Sequence, residues 1–144
     1  MRKLVSGRLI SGTTHRRDRG GKMIITHGLG DEIIAPEGTI DYYGRVQRKM
    51  DGPEKTMTFA RLFMAPGVDH DFRGAGPAPT GEFQALMRWV EEGQAPDHLI
   101  AEKRDSNGKL LRTRPLFPYP AVAKYKGSGS TDEAENFMSS IPVP

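Results

Sequence analysis

Two short apolar runs, Lys22-Met-Ile-Ile-Thr26 and Phe59-Ala-Arg-Leu-Phe-Met-Ala65, restrict this chain more than anything else in it, because a stretch of helical period lies between them. Each run is continuous and closed by a turn signal, His27-Gly28 in the first case and Pro66-Gly67 in the second, as strands buried on both faces are. Between them, after Pro36, the residues Ile40, Tyr43, Val46 and Met50 recur every three or four positions, the mark of an amphipathic helix, and Asp51-Gly52-Pro53 stops it. A strand that returns through a helix to a second strand predicts a parallel crossover and an α/β layer structure. Two parallel strands are few for a free-standing sheet, so the pattern reads as part of something larger.

Downstream, a Gly/Pro-rich loop from Arg73 to Pro79 leads to Thr80, predicted as an N-cap, and Phe83, Leu86, Met87 and Val90 mark one face of a second helix that Gly93 and Pro96 close. The segments His98 to Arg104 and Lys109 to Thr113 flank Ser106-Asn107-Gly108, a strong hairpin signal. In Arg114-Pro-Leu-Phe-Pro-Tyr-Pro120 the prolines lack donors, so this stretch cannot be a central strand and is expected to run extended over the surface. Gly127 to Ser130 reads as a flexible joint, 132–139 as a last short helix, and Ile141-Pro-Val-Pro144 as a tail.

Composition narrows the class further. The chain has 144 residues, 36% hydrophobic and 27% charged, which suits one domain with one core. It has no cysteine, which excludes disulfides, thiolate zinc sites and cysteine nucleophiles. No run approaches the ~18 apolar residues of a membrane span, and residues 1–19 lack the apolar stretch of a signal peptide. A soluble protein without membrane attachment is expected, cytoplasmic if the chain is complete. The net charge of +3 is lopsided, since residues 1–22 carry seven Lys and Arg against Asp18 alone while the other 122 carry 14 bases and 17 acids. Only a short arm is basic, so a nucleic-acid partner is disfavoured, and the arm is expected to be a solvated or disordered terminus.

In open α/β sheets the reacting groups gather in the loops beyond the carboxyl ends of the strands. The loop after the first strand offers His27 and Asp31, and the loop after the second offers Asp69-His70-Asp71. If the strands are neighbours, Asp31 can accept a hydrogen bond from the His70 ring, as the acid and base of a hydrolytic triad require. The same five residues could instead be assembled into a nitrogen and oxygen metal site, but no helical histidine spacing supports that, and no metal or cofactor is expected. His27 is read as a structural strand-end residue. Seven serines are present and none sits in a Gly-x-Ser-x-Gly elbow; Ser11, between Leu9-Ile10 and Gly12, is the least unsuitable nucleophile, although its plainer reading is a serine in the basic arm.

The blocks Gly20-Gly-Lys-Met-Ile-Ile-Thr-His-Gly-Leu-Gly-Asp31, Gly38-Thr-Ile-Asp-Tyr-Tyr43, Phe63-Met-Ala-Pro-Gly-Val-Asp-His70 and Arg114-Pro-Leu-Phe-Pro-Tyr-Pro-Ala-Val-Ala-Lys-Tyr-Lys-Gly-Ser-Gly129 together resemble the C-terminal part of the tannase/feruloyl esterase family. The resemblance covers roughly residues 20 to 139 and implies a shortened C-terminal half of an α/β-hydrolase fold, with parallel strands, crossover helices and a C-terminal β-hairpin. It implies a partial α/β-hydrolase domain over 20–139, which leaves the basic arm over 1–19 before it and a tail over 140–144 after it. It also implies esters of phenolic acids as substrates, Asp31 as the triad acid and His70 as the triad base. Three family cysteines are replaced, by Asp71 after the histidine, by Phe117 in the proline block and by Met138 and Ser139 after Asn136-Phe137. The family's nucleophile elbow and its substrate-binding lid precede the matching segment, and neither is in this chain.

The sequence therefore implies a carboxylic ester hydrolase in shortened form that uses Asp31 and His70 without the family serine. The alternative is a catalytically inactive remnant acting as an oligomerising or interaction module. A homo-oligomer is expected under either reading, because an unprotected sheet edge is a template for another strand.

Overall fold

A computed structural model describes residues 17–143. Ser11 and most of the basic arm lie outside the described residues. In chain order the elements are β1 (Met23–Gly28), α1 (Pro36–Lys49), α2 (Pro53–Met57), β2 (Ala60–Ala65), β3 (Ala78–Thr80), α3 (Glu82–Glu92), β4 (Leu99–Arg104), β5 (Leu110–Leu116), β6 (Val122–Tyr125), one 3-10 turn (Ala134–Asn136) and β7 (Phe137–Ser140). Among the described residues β1 and β2 pair, β3-β4-β5 form a second sheet, and β6 pairs with β7.

The two apolar runs form the parallel pair, in register from Met23 opposite Ala60 to Gly28 opposite Ala65. Alternation along the strands sends Ile24, Phe63 and Ala65 into one cluster and Met23, Ile25, Ala60, Leu62 and Met64 into another. Tyr43, Val46 and Met50 of α1 cover the second face. The first face is covered by Ala85 of α3 and by Leu99, Ala101 and Leu116 of the β3-β4-β5 sheet. β2 is largely buried between these two clusters and β1 is half-buried along most of its length, which is why the strands read as apolar runs. Fully burying a side chain such as Val46 or Leu62 stabilises by roughly 1.5–3 kcal/mol. Within the α1 cluster the Tyr43 hydroxyl donates to the Ala60 carbonyl at 2.9 Å, and burial pushes its phenol up to about 12.

Several sequence expectations are corrected. Thr80 is not an N-cap but the last residue of β3, where its hydroxyl donates to the Ile100 carbonyl at 2.9 Å; Gly81, in the left-handed region, precedes α3 instead. The loop to Pro79 already contains β3, an edge strand in which a proline removes no needed donor. Helix α3 exists, but it packs through Ala85 and Trp89, while Phe83, Met87 and Val90 of the predicted core face are exposed. The small Ala85 lets the helix approach the sheet, and the cations of Lys22 and Arg61 lie over the Trp89 ring, 5.6 and 5.5 Å from its centre. The proline block does not run over the surface. Pro115 pairs with Ile100 inside β5, Leu116 is buried, and Tyr119 N–H donates to the Leu62 carbonyl at 2.7 Å, which occupies the outer edge of β2. Prolines fit here because β5 is an edge strand. The segment 132–139 is not a helix either, since β7 takes up its second half and pairs with β6.

Candidate active site

The two strand-end loops meet because Gly28 has no side chain. A Cβ there would lie 2.2 Å from the Val68 carbonyl oxygen, so only glycine allows the end of β1 to pass this close to the segment after β2. Gly30 N–H then donates to the same Val68 oxygen at 2.8 Å, tying the loops together. This close crossing places Asp31 beside His70.

His70 Nδ1–H donates to Asp31 Oδ2 at 2.9 Å, the pairing the sequence suggested. The other carboxylate oxygen, Oδ1, accepts from Ile33 N–H at 2.9 Å and Ile34 N–H at 2.8 Å. The Asp31 side chain is 5% exposed, so its charge is shielded from water and satisfied by the protein. Burial pushes the carboxyl pKa up, but the hydrogen bonds from Ile34 N–H, the His70 ring and Ile33 N–H, with the charge of His70, outweigh it and bring it down to about 2. Asp31 is therefore a carboxylate across the physiological range.

His70 is the exposed member, with 39% of its side chain open to solvent. The hydrogen bond to Asp31 and that carboxylate's charge raise its pKa above the ordinary histidine value, with Asp71 and Asp69 adding to the effect and partial burial opposing it. Among the described residues, no group hydrogen-bonds His70 Nε2. The loop holding it is built on Asp69, whose Oδ1 accepts from Asp71 N–H at 3.1 Å and Arg73 N–H at 2.7 Å. Asp69 is thus engaged in its own turn, and among the described residues neither Asp69 nor Asp71 bonds the pair.

The sequence marks His27 as a structural strand end; the structure gives it partners at the site that the pattern does not announce. Its Nε2 lies 3.1 Å from Asp31 Oδ2 and 3.0 Å from the Ile34 carbonyl, and its Nδ1 lies 2.7 Å from Thr39 Oγ1. Both neighbours of Nε2 only accept, so Nε2 carries a hydrogen, while Nδ1 is hydrogen-bonded with the Thr39 hydroxyl. The one sequence signal was the spacing of four between His27 and Asp31 across a tight turn; nothing in the sequence pointed to Thr39. An apolar groove of about 640 Å³ opens between Leu29, Met64, Tyr119 and Phe137, but neither Asp31 nor His70 lines it.

A parallel strand pair joined by a helix, with a carboxylate after one strand and an imidazole after the next, is the C-terminal half of an α/β-hydrolase fold in shortened form. The crystal structure of an esterase from Aspergillus oryzae superposes with a TM-score of 0.81 at 29% identity, over 86% of this chain and 28% of the other. The chain belongs to the tannase and feruloyl esterase family, whose model matches residues 11–140. That is a family of carboxylic ester hydrolases. A mono(2-hydroxyethyl) terephthalate hydrolase of Piscinibacter sakaiensis is 43% identical over 88% of this chain and 21% of its own length. A probable feruloyl esterase of Arthroderma benhamiae is 42% identical over 82% of this chain and 22% of its own. The chain thus spans about a fifth of the length of these relatives. Among the described residues no helix is long and apolar enough to cross a membrane.

Proposed function

We propose that this chain carries the acid–base half of an ester hydrolase, with His70 as general base and Asp31 as the acid that orients it. One observation carries the reading: His70 Nδ1 is bonded to a buried carboxylate while Nε2 stays open toward solvent. In this role Nε2 takes the proton from an attacking hydroxyl as its oxygen bonds to the ester carbonyl carbon, and later returns it to the leaving alkoxide. The Asp31 charge holds the ring in the Nδ1–H tautomer and stabilises the imidazolium that forms. Small esters of aromatic acids are the proposed substrates, on the strength of what the relatives are named for hydrolysing.

The attacking hydroxyl comes from Ser11, from another chain or from water. Among the described residues no serine hydroxyl hydrogen-bonds His70, and this agrees with a nucleophile from one of those sources. Water is the weakest of the three, because losing a triad member leaves only ~10³ to 10⁴ of rate over the uncatalysed reaction. Association with a second copy remains part of the proposal, since β1 has no strand on its other edge among the described residues.

Hydrolysis of short p-nitrophenyl esters by the chain, and by its Asp31→Asn and His70→Ala variants, tests the reading. Slow turnover that both variants abolish is the expected result. Variants that match the parent would sink the proposal. Labelling with a serine-directed phosphonate, followed by peptide mapping, separates Ser11 from water.

A further inference from the structure

We propose that His27 is a positioning residue, whose Nε2–H, backed by the Thr39 hydroxyl, aims Asp31 at His70. The inference rests on the reading of His70 as base, and it assigns a task to a side chain that the Asp31–His70 pair does not account for.

One N–H of His27 touches both ends of the loop that presents the carboxylate. It lies 3.1 Å from Asp31 Oδ2, the same oxygen that His70 uses, and 3.0 Å from the carbonyl of Ile34. The Ile34 N–H in turn binds Asp31 Oδ1 at 2.8 Å. The carboxylate is therefore gripped on both oxygens, through the loop backbone on one and through His27 on the other. The His27 ring cannot turn away, because Thr39 of α1 holds its second nitrogen at 2.7 Å and only 12% of its side chain is exposed. The helix that covers one face of the sheet thus reaches the carboxylate through a chain of two hydrogen bonds. With Oδ2 aimed in this way, the His70 bond forms in the geometry that raises His70 basicity; without it, the carboxylate is held on Oδ1 alone, and Oδ2 can pivot about those two bonds away from the His70 ring.

Two effects of opposite sign are separable. If His27 only competed with His70 for Oδ2, its removal would strengthen the remaining bond and raise the His70 pKa further. If it positions the carboxylate, its removal weakens that bond and His70 moves down toward the ordinary histidine value. Positioning should win, because among the described residues His27 is the one group besides His70 that bonds Oδ2.

The test follows the His70 ring proton resonances by NMR across pH in the full chain and in His27→Leu, His27→Gln and Thr39→Val. Gln places an amide donor close to where Nε2 sits, while Leu cannot donate. The expected result is a His70 midpoint that falls in His27→Leu, falls less in Thr39→Val, and returns toward the parent in His27→Gln. A midpoint unchanged or raised in His27→Leu overturns the inference, and so does a Gln variant that behaves like Leu. Should His27→Leu fail to fold, by circular dichroism, the Thr39→Val midpoint alone decides, a fall supporting the inference and no fall overturning it. The ester assay with His70→Ala judges the function independently, so an inert protein with a His27-dependent His70 midpoint would refute the function and leave the positioning intact.

Discussion

Replacing Gly28 with alanine tests the contact on which the site depends. An added Cβ would sit 2.2 Å from the Val68 carbonyl oxygen, 2.8 Å from its carbon and 3.0 Å from the Asp69 carbonyl oxygen. An ordinary carbon–oxygen contact needs about 3.3 Å, so one of the two backbones must move by roughly 1 Å. All three atoms are main chain, and no flexible side chain can give way. Forced overpacking of this kind costs about 1–3 kcal/mol, and moving Val68 threatens the Gly30 N–H bond to it, worth about 1 kcal/mol more. At roughly 3 °C per kcal/mol for a chain of this size, the melting temperature should fall by about 6–12 °C. The same movement separates Asp31 from His70, so the His70 midpoint should also drop toward the ordinary value. Calorimetry and the NMR titration read the two effects. Gly38→Ala is the control, because a Cβ there meets nothing within 4 Å and the residue lies in α1; it should stabilise by about 0.4–1 kcal/mol. A Gly28→Ala protein melting within about 2 °C of the parent, with His70 unmoved, would refute the reasoning.

Asp31→Asn removes the charge that raises His70, so the His70 midpoint in the NMR titration should fall toward the ordinary histidine value while p-nitrophenyl ester turnover drops to background. The Asp31 pKa of about 2 lies below the ordinary ~3.9, so its contribution to stability is complete above about pH 4 and is lost as pH falls toward 2. Acid unfolding followed by circular dichroism should accordingly be flatter between those limits in Asp31→Asn. His70 carries the opposite sign, its contribution being complete below ~6.5 and lost as pH rises through its raised value. Tyr43→Phe leaves the Ala60 carbonyl without its side-chain donor and should cost about 1–3 kcal/mol in urea unfolding, at unchanged slope. Sedimentation at increasing concentration checks the proposed association, and a single monomeric species throughout would remove it.

The sequence alone determined what local pattern can carry. The apolar runs at β1 and β2 and the three-to-four spacing in α1 showed a parallel crossover, because burial on both faces of a strand pair leaves an unbroken apolar signature. The placement of Asp31 and His70 followed from that topology, since loops after neighbouring parallel strands lie at the same sheet end. Tertiary structure decided the rest. It turned Phe83, Met87 and Val90 outward and put Ala85 and Trp89 against the sheet, because periodicity marks which residues share a face and says nothing of which neighbour covers it. It drew the proline block onto the edge of β2, where the Leu62 carbonyl needed a donor that no residue pattern announces. It also gathered His27, Thr39 and Ile34 around Asp31, since hydrogen bonds depend on distances in space, and those arise only once α1 has docked on the strands.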